Sequence, residues 1–292
     1  MGVSESPAVA RRHLRLALRK IRESKGFTQG SVAEALDWSI SKVNRIEGGE
    51  VTVSGTDLRA LLALYEVTDA LAISDLTAKA KAARRRGWWN EPGVGDQLTP
   101  ATIQLLQFEH VATAIRVFHP ILVPGLLQTR AYAESLLNSW NLELTEEQRR
   151  ARLQVRLRRR DYVFTRRPPP TYSVILDESV LLRYVGGVSV MLGQLQELIS
   201  LRQRRMISLR IVQLTTPSIA TIGSFTLVDL RDDESAVLYR ESHNRDEVLQ
   251  NYDETSLHRR FFDRMWSESL DEDDSLLLIQ ERARAMMSLE LD

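Results

Sequence analysis

The sequence predicts an α+β multidomain chain, an N-terminal all-α helix-turn-helix domain followed by a mixed α/β domain with a small sheet of about four strands and several helices. Three observations predict it. From Phe27 to Gly49, apolar residues recur at helix spacing on both sides of a short break. Between Tyr172 and Arg240, runs rich in Val, Ile, Leu, Phe and Tyr flank one long helical stretch. Between these regions, R-R-R-G-W-W-N-E-P-G (Arg84 to Gly93) breaks the pattern with charge, aromatics and turn formers. A chain of 292 residues with 43% apolar content can fill two cores. The expected domains are 1–83 and 99–292, joined by a junction at 84–98.

Residues 1–10 read as a frayed lead-in. Leu14, Leu18 and Ile21 then mark the inner face of a helix ending near Gly26, with Arg11, Arg12, Arg15, Arg19 and Lys20 around its other sides as a solvated face. In F-T-Q-G-S-V-A-E-A-L-D-W-S-I-S-K-V-N-R-I-E-G-G, Thr28 is placed to cap a short helix with Val32, Ala33 and Leu36 inward. Ser39 is placed to cap the next one. On that second helix Val43 and Ile46 share one side, while Ser41, Asn44 and Arg45 lie opposite, with Ile40 and Lys42 at the margins. Two helices so joined form the geometry that lays the second in a DNA major groove. Arg45 suits guanine, Asn44 adenine and Ile40 a thymine methyl, whereas Lys42 suits a phosphate. Any small helical domain also has a polar face, so spacing alone leaves that reading open. T-D-L-R-A-L-L-A-L-Y-E-V (Thr56 to Val67) supplies closing core, and Asp69 to Ala83 one more helix.

The residues L-D-W-S-I-S-K-V-N-R-I-E-G-G resemble the Xre-type, lambda-repressor-like helix-turn-helix family. Two positions depart from it. Asp37 stands where that family usually has Gly, and Gly30-Ser31 replaces an acidic pair. The resemblance implies that Gln29 meets a DNA phosphate at the positive end of its helix, and that Arg22 pairs with Glu47 as a structural tie. The expected DNA-binding set is Thr28, Gln29, Ser39, Ile40, Ser41, Lys42, Asn44 and Arg45.

In the second domain, Ile103, Leu106, Phe108, Val111, Ala114, Ile115 and Phe118 read as one helix stripe ending at Pro120. By physics, V-P-G-L-L-Q-T (Val123 to Thr129) with Tyr132-Ala133 is a turn leading into a capped helix. It also resembles the signature of an uncharacterised domain that follows Xre-type modules in antitoxin-like regulators. Further blocks carry that resemblance: L-D-E-S-V-L-L-R (Leu176 to Arg183), V-G-G (Val185 to Gly187), V-M-L-G-Q-L (Val190 to Leu195), G-S-F-T-L-V (Gly223 to Val228) and A-V-L-Y-R-E-S (Ala236 to Ser242).

Gln148 to Arg167 holds nine arginines against one acid, Asp161. A basic solvated face, a second DNA contact, a dock for an acidic partner and a subunit contact all fit. After Pro168-Pro169-Pro170, strands are expected at Tyr172 to Leu176, Ser208 to Leu214, Ser224 to Leu230 and Ala236 to Arg240. A helix over Val188 to Arg205 makes the first two a parallel pair, and the short R-D-D-E-S link makes the last two a hairpin. Arg245 to Ser267 and Leu276 to Leu289 read as closing helices, with Asp271 to Asp274 capping the second.

The net charge of zero divides unevenly: residues 1–87 carry 15 Lys and Arg against 10 Asp and Glu, and the remainder 24 against 29. The excess of cations lies with the helix-turn-helix, as a phosphate-facing domain requires. Zero cysteines exclude disulfides, thiolate metal sites and cysteine nucleophiles. No apolar run approaches the ~20 residues of a membrane span and the N-terminal M-G-V-S-E-S-P lacks a signal-peptide core, so a cytoplasmic location is expected. Glu109-His110 with His119 lacks a third ligand, Asp177-Glu178 reads as a helix cap, and no phosphate-cradling or nucleophile-elbow motif occurs. No enzyme activity, catalytic residue, metal site or cofactor is expected.

The expected function is a sequence-specific transcriptional regulator of double-stranded DNA. One small helix reads few base pairs, so a homodimer on a two-fold site is expected. The resemblance implies that the second domain meets a small partner protein encoded nearby. A pocket for a small-molecule effector is the alternative.

Overall fold

The computed structural model describes residues 6–49, 51–140, 144–216, 223–231, 236–241 and 246–291. They fall into two compact units, Met1–Trp88 and Trp89–Asp292.

The first unit is all helical. α1 (Pro7–Ser24) starts earlier than the sequence suggests. Ser6 accepts the Val9 N–H, Pro7 occupies the first turn, and Ala8, Val9 and Ala10 are buried, so the described part of the lead-in is packed helix. Residues 1–5 of that lead-in lie outside the described residues. α2 (Gln29–Ala35) is only seven residues long and is held at its start by reciprocal bonds between Thr28 and Ser31. α3 (Ile40–Gly48) is capped by Ser39 and closed by Gly49 in the left-handed conformation. α4 (Gly55–Leu64) and α5 (Ala70–Ala82) complete the unit. Leu14, Leu18, Val32, Val43, Ile46, Leu58, Leu61, Leu62, Tyr65 and Leu76 form its core.

The second unit is a mixed sheet with helices. α6 (Pro100–Glu109) is followed by β1 (Ala114–His119), not by a continued helix. The expected stripe to Phe118 is therefore broken. The carbonyls of His110 and Ala112 accept from the Arg166 guanidinium, which satisfies this backbone outside any helix. α7 (Arg130–Trp140) and α8 (Glu146–Thr165) lead to β2 (Thr171–Asp177). α9 (Ser179–Leu182) and α10 (Val188–Gln203) lead to β3 (Ser208–Val212). Then come β4 (Phe225–Asp229), β5 (Val237–Arg240), β6 (Glu247–Leu249), α11 (Tyr252–Glu268) and α12 (Glu272–Leu291).

Among the described residues six strands, where about four were expected, lie in the order β3-β2-β1-β4-β5-β6. β1, β2 and β3 are mutually parallel, and β1 meets β4 antiparallel, with Phe118 opposite Ile175 on one side and Phe225 on the other. The β4–β5 pair is antiparallel; the turn residues 232–235 lie outside the described residues. β6 and its Asn251-capped successor replace the single helix expected from Arg245, itself outside the described residues. One sheet face, with Phe118, Ile175, Val212, Phe225, Leu227 and Leu238, packs on Phe262 and Met265 of α11. The outer edge of β3 is covered: the Ile211 N–H donates to Ser275 Oγ, and its carbonyl accepts from Leu270.

The Val123–Tyr132 block is a self-braced turn. The Val123 N–H donates to Tyr132 Oη, Gln128 Nε2 donates to the Val123 carbonyl, and the fully buried Gln194 bonds both Thr129 N–H and the Leu127 carbonyl. The arginine-rich helix α8 works largely inward. Arg159 makes a bidentate pair with Glu109 at 2.5 and 2.6 Å, Arg160 pairs with Glu197, Arg158 with Glu91, and Arg156 donates to Gln128. A freely solvated basic face therefore describes few of these arginines.

Candidate nucleic-acid interface

α3 owes its orientation to Val43 and Ile46, which are 2% and 4% exposed in the core of the first unit. That anchoring turns Ser41, Asn44 and Arg45 outward as exposed side chains, with Ile40 55% exposed beside them. Among the described residues, the side chains of Ser41, Asn44 and Arg45 have no intramolecular hydrogen bond or ion pair. Three adjacent polar groups with their full bonding capacity unused are suited to base edges.

The other members of the expected set are partly engaged. Thr28 and Ser39 serve as N-caps, of Ser31 and Lys42 N–H respectively. Gln29 Nε2 donates to Glu47 Oε2 at 2.8 Å, so its side chain braces the turn while the backbone N–H groups at the start of α2 remain outside the helix's own ladder. Lys42 Nζ sits 2.7 Å from Asp57 Oδ1 and 3.7 Å from the Trp38 ring centroid. Asp57 loses solvation there, but the bonds from Lys42 and Ser54 and the lysine charge outweigh it and hold its carboxyl below the usual range. Asp57 and Trp38 were not singled out by sequence reasoning. The S-x-x-D spacing from Ser54 marks Asp57 as a helix-start acid, and no sequence signal ties it to Lys42.

Beneath this face, Arg22 Nε and Nη2 donate to the two Glu47 oxygens at 2.6 and 3.1 Å. Arg22 Nη1 also donates to the Phe27 carbonyl, which fixes the end of the α1–α2 link. The hydrogen bond to Glu47, together with its charge, raises the Arg22 pKa. Burial, helped by the Glu47 charge, pushes the neighbouring Tyr65 hydroxyl up to about 12. Arg15 donates to the Glu47 carbonyl and packs where a Cβ at Gly49 would fall, 2.9 Å away. The positive φ of 76° favours glycine at that position, and a Cβ there would also push the Arg15 side chain aside. Asp37, at φ 54°, makes the left-handed turn between α2 and α3.

In the second unit, the acids considered for chemistry are occupied structurally. Asp177 accepts from the Ser179 N–H, and Glu178 accepts from the Leu214 N–H and from Arg282. His110 stacks on Tyr162 and shares a 2.7 Å hydrogen bond with it. His119 Nδ1 accepts the Leu122 N–H at 3.0 Å. Among the described residues, no helix is long and apolar enough to cross a membrane.

Residues 13–72, which span α1 to the start of α5, match a helix-turn-helix domain model. Residues 102–281, including the whole sheet, match a domain of unknown function, DUF5753. No curated protein and no solved structure matches the chain. The helix-turn-helix match indicates a DNA-binding regulator. With most of its length matched by the second model, the chain belongs to the DUF5753 family and carries a helix-turn-helix domain ahead of it.

Proposed function

We propose that this protein is a sequence-specific transcriptional regulator of the Xre type that reads double-stranded DNA with α3 in the major groove. The observation that carries it is the outer face of α3, where Ile40, Ser41, Asn44 and Arg45 are exposed and the three polar ones have no internal partner among the described residues. Arg45 donates in a fork to a guanine, Asn44 pairs with an adenine and Ile40 touches a thymine methyl. Phosphates are met by Lys42, Ser39, Thr28 and the N–H groups at the start of α2, which set register and supply most of the affinity. Arg22 and Glu47 hold the two motif helices at a fixed angle and touch no DNA.

Two copies bind a two-fold site as a cytoplasmic homodimer, and the second domain, which runs no catalysis, engages a small partner protein in the manner of an antitoxin. Exposed Ile121 and Tyr184, on the rim of a pocket of about 440 Å3, support the partner contact.

The test is binding to the DNA upstream of the protein's own gene at several salt concentrations, against random competitor. Arg45→Ala loses about 1–3 kcal/mol of preference for the site while keeping its fold. Equal affinity for all sequences, unchanged by that substitution, overturns the reading. Co-purification of the neighbouring small protein tests the partner.

A further inference from the structure

Three segments that follow or flank the parallel pair β1 and β2 line a pocket of about 440 Å3. Ile121 and Leu122 come from the loop beyond the carboxyl end of β1, Leu136 and Ser139 from the last turns of α7, and Arg183 to Gly186 from the link between α9 and α10. Open sheets with parallel strands bind ligands beyond the carboxyl ends of those strands. A volume of this size also falls in the range of about 300–1,000 Å3 usual for small-molecule sites.

The walls are held in place by the protein itself. His119 Nδ1 accepts the Ile121 and Leu122 N–H groups at 3.3 and 3.0 Å, and Ser179 Oγ donates to the Pro120 carbonyl at 3.0 Å, which pins the first segment. The link after α9 is pinned by its own turn, in which the Gly187 N–H donates to the Tyr184 carbonyl at 3.0 Å. Gly186, at a φ of 74°, rests on α7, and a Cβ there would fall 2.8 Å from Ser135 Cβ. A pocket so braced needs little ordering when a ligand enters.

Among the described residues the lining is apolar at Ile121, Leu122, Leu136 and Val185, carries one charge, Arg183, and includes no carboxylate. The Arg183 side chain is exposed and, among the described residues, makes no hydrogen bond or ion pair. The neighbouring Tyr184 hydroxyl is equally unengaged, and Ser139 Oγ, which donates to the Ser135 carbonyl, keeps its acceptor sites. A guanidinium with its donors unused matches a carboxylate in a bidentate pair, and one cation balances one negative charge. We propose that this pocket binds a small amphipathic monocarboxylate, its head on Arg183 and the Tyr184 hydroxyl, its aliphatic or aromatic body against Leu122, Leu136 and Val185. Ile121 and Tyr184 also belong to the rim assigned above to a partner protein. The inference concerns the pocket itself and stands without that contact and without the DNA-binding reading.

The test is calorimetric titration of the full chain, without any partner, with sodium octanoate, sodium acetate and 1-octanol at fixed ionic strength. Octanoate saturates a single site, while acetate and 1-octanol, each lacking one half of the recognised chemistry, bind about tenfold more weakly or worse. Arg183→Gln weakens octanoate by about tenfold or more and leaves 1-octanol unchanged, which separates loss of the charge pair from damage to the fold. Ser139→Trp, at an exposed position in the last turn of α7, fills the pocket and abolishes binding of both. Arg150→Gln, at an exposed arginine paired with Glu146 on α8, leaves octanoate unchanged. The proposal is overturned if octanoate does not saturate on the folded wild type or binds no more tightly than 1-octanol. It is equally overturned if Arg183→Gln or Ser139→Trp binds octanoate as well as the wild type does, or if Arg150→Gln loses as much as Arg183→Gln.

Discussion

Arg22, near the end of α1, and Glu47, near the end of α3, meet in a two-pronged ion pair of 2.6 and 3.1 Å at which Gln29 of α2 also arrives. One carboxylate therefore ties three helices together. Removing it leaves the buried Arg22 guanidinium with the Phe27 carbonyl and only one, more exposed carboxylate, Glu23 at 3.3 Å. Glu47→Ala should destabilise the first unit by about 3–5 kcal/mol, whereas Arg22→Met combined with Glu47→Leu recovers most of that loss. Urea unfolding of the three proteins checks it, and equal losses in the single and double variants would refute it.

Asp37 takes a left-handed conformation that side chains resist. Asp37→Gly relieves the steric cost but loosens the unfolded chain, so the expected net gain is about 0.5–1 kcal/mol. A thermal melt showing no gain would mean that the aspartate contributes something besides its backbone angles.

Lys42 is held between Asp57 and Trp38. Asp57→Asn frees the ammonium and adds one positive charge to the DNA-facing side. Non-specific DNA affinity should rise, and the slope of log K against log salt should steepen by about 0.9. An unchanged slope would remove Lys42 from the phosphate contacts.

His119 accepts two backbone N–H groups at Nδ1, and burial pushes its imidazole down to about 4. The folded value lies below the unfolded value of about 6.5, so this stabilisation is complete above the unfolded value and is lost as pH falls from there towards 4. Going from pH 7 to pH 5 should cost the second unit about 1–2 kcal/mol. His119→Gln should flatten that dependence in paired denaturant titrations, and an identical pH response would exclude the histidine as its source. His110, also lowered by burial and then by Arg166, is present in both proteins and cancels.

The helix-turn-helix was readable because its signals are local. Caps at Thr28 and Ser39, and apolar residues three and four apart, sit within one short stretch. The sheet was read in part. β2, β3, β4 and β5 follow β-branched runs, but β1 is buried around Ile115, Val117 and Phe118, and a short apolar run has no period that separates strand from helix. β6 has three residues, too few to show alternation. The α8 arginines pointed outward in the sequence because their partners, Glu91, Glu109 and Glu197, lie far away along the chain. The same distance concealed the Lys42–Asp57 bond, and with it the difference between the held and the unoccupied members of the α3 face.

The position of β1 in the middle of the sheet bears on how the chain reaches its native state. Its parallel partner β2 arrives only after α7 and α8 have been traversed, and its antiparallel partner must wait longer, since Arg116 bonds Asp229 across 113 residues. Loop closures of that length make for slow folding, while β4 and β5 are close enough in sequence to meet early. During synthesis β1 leaves the ribosome well before either neighbour and presents two open edges rich in Ile, Val and Phe. Chains stalled or truncated before Phe225 keep one of those edges bare, and they are the species expected to self-associate.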